Sequence, residues 1–153
     1  MIELLLMAHV MFGVGCLVFT LWVFVDTLNF SEANLGRIRA LSRAAALCMW
    51  LAFVIAGYWY VCYYKTDKAI ILHGPWPFAH NFFMETKEHL VILLFLLATY
   101  LPVTTAGNLP AGRDARRVVL WVAGLVVGLA LLMEGEGAVI AMGVKVGLLA
   151  GHN

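Results

Sequence analysis

Four apolar stretches dominate the sequence, and each is about as long as a helix must be to cross the roughly 30 Å hydrocarbon core of a bilayer. They cover 4–25, 44–63, 82–106 and 118–140. Only 12% of the 153 residues are charged, so little polar surface remains to cover a soluble core. The sequence therefore predicts an all-α integral membrane protein, a four-helix up-and-down bundle that forms a single membrane domain over 1–153.

The charges of the connections predict how this bundle is oriented. The first and last connections carry clusters of arginine, which the positive-inside rule assigns to the cytoplasm; they are Arg37, Arg39, Arg43, Arg113, Arg116 and Arg117. Both termini and the connection over 64–87 are then expected outside, in the periplasm of a bacterial inner membrane. A net charge of +1 gives no indication of a nucleic-acid partner, and the partner expected from composition is the lipid bilayer.

Two histidines are predicted to lie at nearly the same depth. His9 and His89 fall near the outer ends of spans one and three, which are diagonal neighbours in an up-and-down bundle. Both imidazoles are then expected to face one central object, and a haem iron with two axial histidines fits best. Because the sequence has no C-x-x-C-H motif, the haem would be of the b type. The alternative is that each histidine makes an ordinary polar contact between helices.

Four further residues are candidates for contacts with such a haem. Gly13 lies one turn inward from His9 on the same helix face, where a missing side chain would leave room for a flat macrocycle. The small residue is equally typical of plain helix packing. Lys65, Lys68 and Lys87 are on the expected outer side and are predicted to bind the propionates.

His80 has two possible roles at the start of span three. It either caps the helix or replaces His89 as the iron ligand. The two histidines are nine residues apart and face nearly opposite directions on a helix, so only one of them is expected to point into the bundle.

Glu134 and Glu136 follow a long apolar run and are expected near the outer edge of span four. They are either solvated residues at the level of the lipid headgroups or proton acceptors for a quinol. The second role follows from chemistry, because quinol oxidation needs a carboxylate or histidine within hydrogen-bond reach of the hydroxyl.

The segments AHVMFG around His9 and KEHLVILLFLL around His89, together with the number of spans, resemble the small four-helix membrane b-type cytochromes. In that family, spans one and three each bring an axial histidine. The resemblance implies one haem b, electron exchange with the quinone pool, and a periplasmic cytochrome or oxidoreductase as partner. Spans two and four of this chain lack histidine, so the resemblance does not extend to a second haem.

Three functions follow from these observations. The first is electron transfer between quinone and a periplasmic partner, as a subunit of a larger respiratory complex. The second is a cofactor-free accessory membrane subunit. The third is transport or handling of a metal or of haem, with histidine and methionine side chains as ligands, namely His73, His80, His89, Met7, Met11 and Met84.

Overall fold

The computed structural model describes residues 2–110 and 112–151, and all regular structure within them is helical. The long helices are α1 (Ile2–Leu28), α2 (Leu35–His73), α3 (Glu85–Ala106) and α4 (Arg113–Ala150). A short 3₁₀ turn, Glu32–Asn34, precedes α2, and a π-helical turn, Ala79–Met84, leads into α3. All four long helices are apolar enough to cross a membrane. The all-helical prediction and the four apolar helices are therefore confirmed.

Neighbouring helices run antiparallel. Tyr64, late in α2, contacts His80 just before α3, whereas Ser42, early in α2, hydrogen-bonds to Thr105 at the end of α3. Helices α1 and α3 each pack against both α2 and α4, so α1 and α3 lie on the diagonal. We call the end that holds the start of α1, the α2–α3 connection and the end of α4 the histidine end. The opposite end is the arginine end.

A narrow buried stripe runs along each inward helix face, with spacings of three and four residues. This pattern is the seam of a coiled-coil-like bundle. In α1 the stripe is Cys16, Thr20, Val23 and Thr27, and in α3 it is Leu94, Ala98, Leu101 and Thr105. Large apolar side chains such as Trp121 cover the outside, as expected for helices that face lipid.

Arginines at the arginine end also join helices to one another. The guanidinium of Arg37 donates hydrogen bonds of 2.7 and 2.8 Å to the carboxylate of Asp26. Arg39 donates to the carbonyl oxygens of Thr105 and Gly107 at the end of α3. These carbonyls have no partner within the helix, so Arg39 satisfies them.

The predicted connection over 64–87 is largely helical. Helix α2 continues to His73 and the π-helical turn begins at Ala79, so only 74–77 lie outside helical conformation. Pro75 and Pro77 explain the interruption, because proline lacks a backbone N–H and disfavours helix in the residue before it. Helix α4 is likewise longer than predicted and extends about 57 Å along its axis.

Glycines let α4 approach the α2–α3 connection closely. A Cβ on Gly147 would lie 2.8 Å from the carbonyl oxygen of Ile70, and one on Gly143 would lie 2.7 Å from the Cβ of Ala79. Both distances are too short for a real side chain. Helix contact at the histidine end therefore depends on the absence of side chains at these two positions.

We expect Gly147→Ala to destabilise the protein by about 1–3 kcal/mol, because the added methyl group must displace the backbone of α2. Gly128→Ala is the matched control, since nothing lies within 4 Å of a Cβ at that position and alanine favours helix by about 1 kcal/mol. Thermal unfolding in one detergent compares the two variants. The account of this contact is wrong if Gly147→Ala unfolds at the same temperature as Gly128→Ala or at a higher one.

Candidate functional site

A small cavity lies within the bundle toward the histidine end. It has a volume of about 50 Å³, and its polar lining comes from His9, Lys87 and Glu134. A water molecule needs roughly 10–15 Å³ of such space, so the cavity has room for a few waters. The remaining lining residues are small or apolar: Gly13, Cys16, Met49, Ala52, Phe53, Ala56, Val91, Leu94, Ala130 and Met133.

The ring of His9 is held by the backbone of α2. Its Nδ1 lies 3.0 Å from the carbonyl oxygen of Ala52. A carbonyl oxygen only accepts hydrogen bonds. Nδ1 therefore carries a hydrogen and donates a hydrogen bond to this oxygen. In the neutral imidazole, Nε2 is then the acceptor. His9 therefore enters the cavity with its tautomer fixed.

Glu134 occupies the space that the sequence assigned to a macrocycle. A Cβ on Gly13 would lie 2.6 Å from the Oε1 of Glu134. The missing side chain of Gly13 thus makes room for a carboxylate on α4. The prediction that Gly13 leaves room for haem is corrected: the room is taken by Glu134.

Lys87 points into the bundle, although the sequence predicted a propionate-binding role at the surface. Its Nζ lies 2.9 Å from the position of a Cβ on Gly137, so the ammonium group rests against α4. There it interacts electrostatically with Glu134 and Glu136. Within the described residues, no ion pair of 4.0 Å or less joins Lys87 to a carboxylate. The ammonium group of Lys87 and these two carboxylates are therefore not in direct contact.

The other two lysines predicted to bind propionates do not share this position. Lys65 and Lys68 lie exposed on α2, in the part of that helix that continues toward His73. Neither lysine lines the interior cavity.

Glu136 is buried, with 4% of its surface exposed. Its Oε2 has no hydrogen-bond partner among the described residues. A buried carboxyl oxygen needs a proton, a water or a ligand to satisfy it, because leaving it unpaired is costly. Glu136 is therefore not a solvated headgroup-level residue, whereas Glu134 is half-buried.

His89 lies on the surface of α3 and does not face His9. It is exposed, and its Nδ1 donates a 2.6 Å hydrogen bond to the carbonyl oxygen of Glu85 in the same helix. Together with Asn81, Phe82, Glu85, Thr86 and Leu90, it lines a shallow surface groove. The structure therefore does not bring His9 and His89 together.

His80 is the buried histidine of the α2–α3 connection. It is 4% exposed, and its Nδ1 lies 2.8 Å from the hydroxyl oxygen of Tyr64. It makes no side-chain cap and does not line the interior cavity. Neither of its two predicted roles, helix cap or substitute iron ligand beside His9, matches this position.

These positions do not fit a haem b held between His9 and His89. The ring of His9 lines the interior cavity, whereas the ring of His89 lies on the surface of α3, and the space beside Gly13 is filled by Glu134. The cavity of about 50 Å³ is also far smaller than the ~300–1,000 Å³ typical of organic ligand pockets. Separately, in the parts of the chain that the structure describes, no group of three or more His, Cys, Asp or Glu side chains that could hold a metal ion is found.

Compared with protein-family models, curated proteins and solved structures, the chain matches none of them.

The seam spacing explains why Lys87 and Glu136 face inward. On α3, Lys87 lies seven residues before the buried Leu94. On α4, Glu136 lies between the buried Met133 and Ile140. This heptad-like register was present in the sequence and would have identified both residues as core-facing.

His9→Ala and His89→Ala should have different effects on any reduced absorption spectrum of the purified protein. Because His89 faces away from the cavity, its replacement should leave the α band of any low-spin haem unchanged. Spectra of dithionite-reduced wild type and both variants test this directly. Loss of one and the same band in both variants would contradict the geometry described above.

Proposed function

We propose that this chain is a multi-pass subunit of a bacterial inner-membrane electron-transfer complex, and that its interior site exchanges protons with a quinol. The arginine end faces the cytoplasm in this proposal, as the positive-inside rule favours. Both termini and the histidine end then face the periplasm. The polar site consequently lies within the outer leaflet of the membrane.

The observation that carries the proposal is the convergence of four titratable side chains from three helices. His9 from α1, Lys87 from α3 and Glu134 from α4 line the cavity, and Glu136 of α4 lies close enough to Lys87 to interact with it electrostatically. Placing titratable side chains inside a membrane bundle costs free energy, and such side chains typically mark a proton, ion or substrate pathway.

The side chains are suited to the proton chemistry of a quinol. Oxidation of a quinol to a quinone releases two protons and two electrons. His9, through Nε2, and the two carboxylates can accept protons, and the ammonium group of Lys87 stabilises the quinolate oxygen that forms first. The electrons pass to a redox centre of a partner subunit or of a periplasmic cytochrome.

The size of the cavity limits how the quinol binds. About 50 Å³ holds waters but not a quinone ring. In this proposal the ring stays at the rim among apolar side chains, and one hydroxyl group reaches inward to Lys87 and the carboxylates. Waters in the cavity complete the hydrogen bonds.

We expect Lys87→Met and Glu136→Gln to weaken binding of a short-chain quinol at least about tenfold, equivalent to ~1.4 kcal/mol. Each change removes a charged group from the site. Lys65→Met and Glu85→Gln are matched controls, because both side chains are exposed. Quenching of tryptophan emission in lipid nanodiscs measures the affinity.

The proposal fails if Lys87→Met and Glu136→Gln bind the quinol as tightly as the two control variants do, or if wild type does not bind it. Turnover provides a second measurement. In membranes that contain the complex, Glu134→Gln should slow quinol oxidation, and unchanged turnover would remove Glu134 from the proton path.

A further inference from the structure

A second polar group lies beyond Glu136, at the histidine end. It is the buried pair of Tyr64 and His80, with 2.8 Å between the hydroxyl oxygen and Nδ1. The pair is enclosed by an apolar cluster that includes Ile71, Met84 and Ile140. His80 belongs to the π-helical turn, a feature that often accompanies functional sites.

Two buried polar atoms in this part of the bundle have no hydrogen-bond partner among the described residues. One is the Nε1 of Trp59, which packs against the apolar cluster, and the other is the Oε2 of Glu136. The rings of Trp59 and Tyr64 are 5.5 Å apart between centroids, and Ile140 follows Glu136 by one helical turn. An unsatisfied donor therefore belongs to a residue that packs against the cluster, and an unsatisfied acceptor lies one helical turn from it on α4.

We infer that a water held by Trp59, together with Tyr64 and His80, forms a hydrogen-bonded route along which Glu136 exchanges its proton with the aqueous phase at the histidine end. One bound water that accepts from the Nε1 of Trp59 and lies beside the Oε2 of Glu136 satisfies both orphaned atoms. The route goes beyond the quinol and needs only that Glu136 binds a proton.

The proton balance along this route is simple. The carboxyl group of Glu136 gives its proton to the water, which passes one of its own to the hydroxyl oxygen of Tyr64. Tyr64 passes its proton to Nδ1 of His80, and His80 releases the proton that it held on Nε2. Glu136 ends as a carboxylate, every other member stays neutral, and no electron moves.

The outer part of the route lies among charged side chains. His80 lies in the field of Glu85 and Glu88 from α3 and of Lys68 from α2. Helix α4 presents apolar residues to this cluster. Tyr60, which stacks on Tyr64, donates a 2.7 Å hydrogen bond to Glu88. In this proposal, Glu85 or Glu88 accepts the proton that His80 releases and passes it to bulk water.

The test is the rate at which the protonated carboxyl group of Glu136 exchanges hydrogen for deuterium. Rapid mixing of nanodisc-embedded full-length protein with D₂O at acidic pH, followed by infrared spectroscopy, reports the shift of the carboxyl C=O band. Glu136→Gln identifies that band. We expect Tyr64→Phe and Trp59→Phe, which keep an aromatic ring, to slow the exchange at least about tenfold.

Tyr58→Phe and His73→Phe are the matched controls. Tyr58 is an exposed tyrosine of α2, and His73 is an exposed histidine bonded only to the carbonyl of Ala69 in its own helix. Both should exchange at the wild-type rate. Unchanged exchange in Tyr64→Phe, or absence of any band that Glu136→Gln removes, overturns the route. Because no quinol is present, failure here is distinct from failure to bind quinol.

Discussion

The interaction on which the rest depends is the burial of opposite charges at core-facing positions of an apolar bundle. Lys87 and Glu136 both lie on the seams along which α3 and α4 pack. Removing two ions from water costs several kcal/mol each, and their attraction offsets this only when the remaining hydrogen bonds are satisfied. An apolar pair would pack there at lower cost. Their presence at this level of the bundle is the reason we propose proton exchange there.

Small residues make this arrangement possible. Gly13 gives room to the carboxylate of Glu134, and Gly137 gives room to the ammonium group of Lys87. Each missing side chain on one helix is matched by a long polar side chain on its neighbour. Closer to the histidine end, Gly143 and Gly147 instead allow helices to touch. The same residue type thus has two uses along the bundle, and spacing alone does not distinguish them.

More of the fold than of the site could be predicted from the sequence. The length of the apolar stretches predicts four helices, because a segment inside hydrocarbon must satisfy its own backbone hydrogen bonds. The short connections then place α1 and α3 on the diagonal. The direction of a side chain depends on helix rotation, which weak amphipathicity leaves undetermined. His89 was therefore expected to face inward and lies on the surface. The spacing of the buried residues Leu94 and Ala98 indicates which face of α3 points inward. That face includes Lys87 and not His89.

One spectroscopic measurement tests the buried position of Lys87 most directly. In bilayers containing protein labelled with ¹⁵N at lysine Nζ and ¹³C at glycine Cα, a dipolar coupling between Lys87 and Gly137 is predicted, because the ammonium group rests against α4 at that glycine. Replacement of Lys87 by methionine should remove the coupling. A Lys87 ammonium group that shows no coupling to α4 and contacts only water or lipid headgroups would contradict the account.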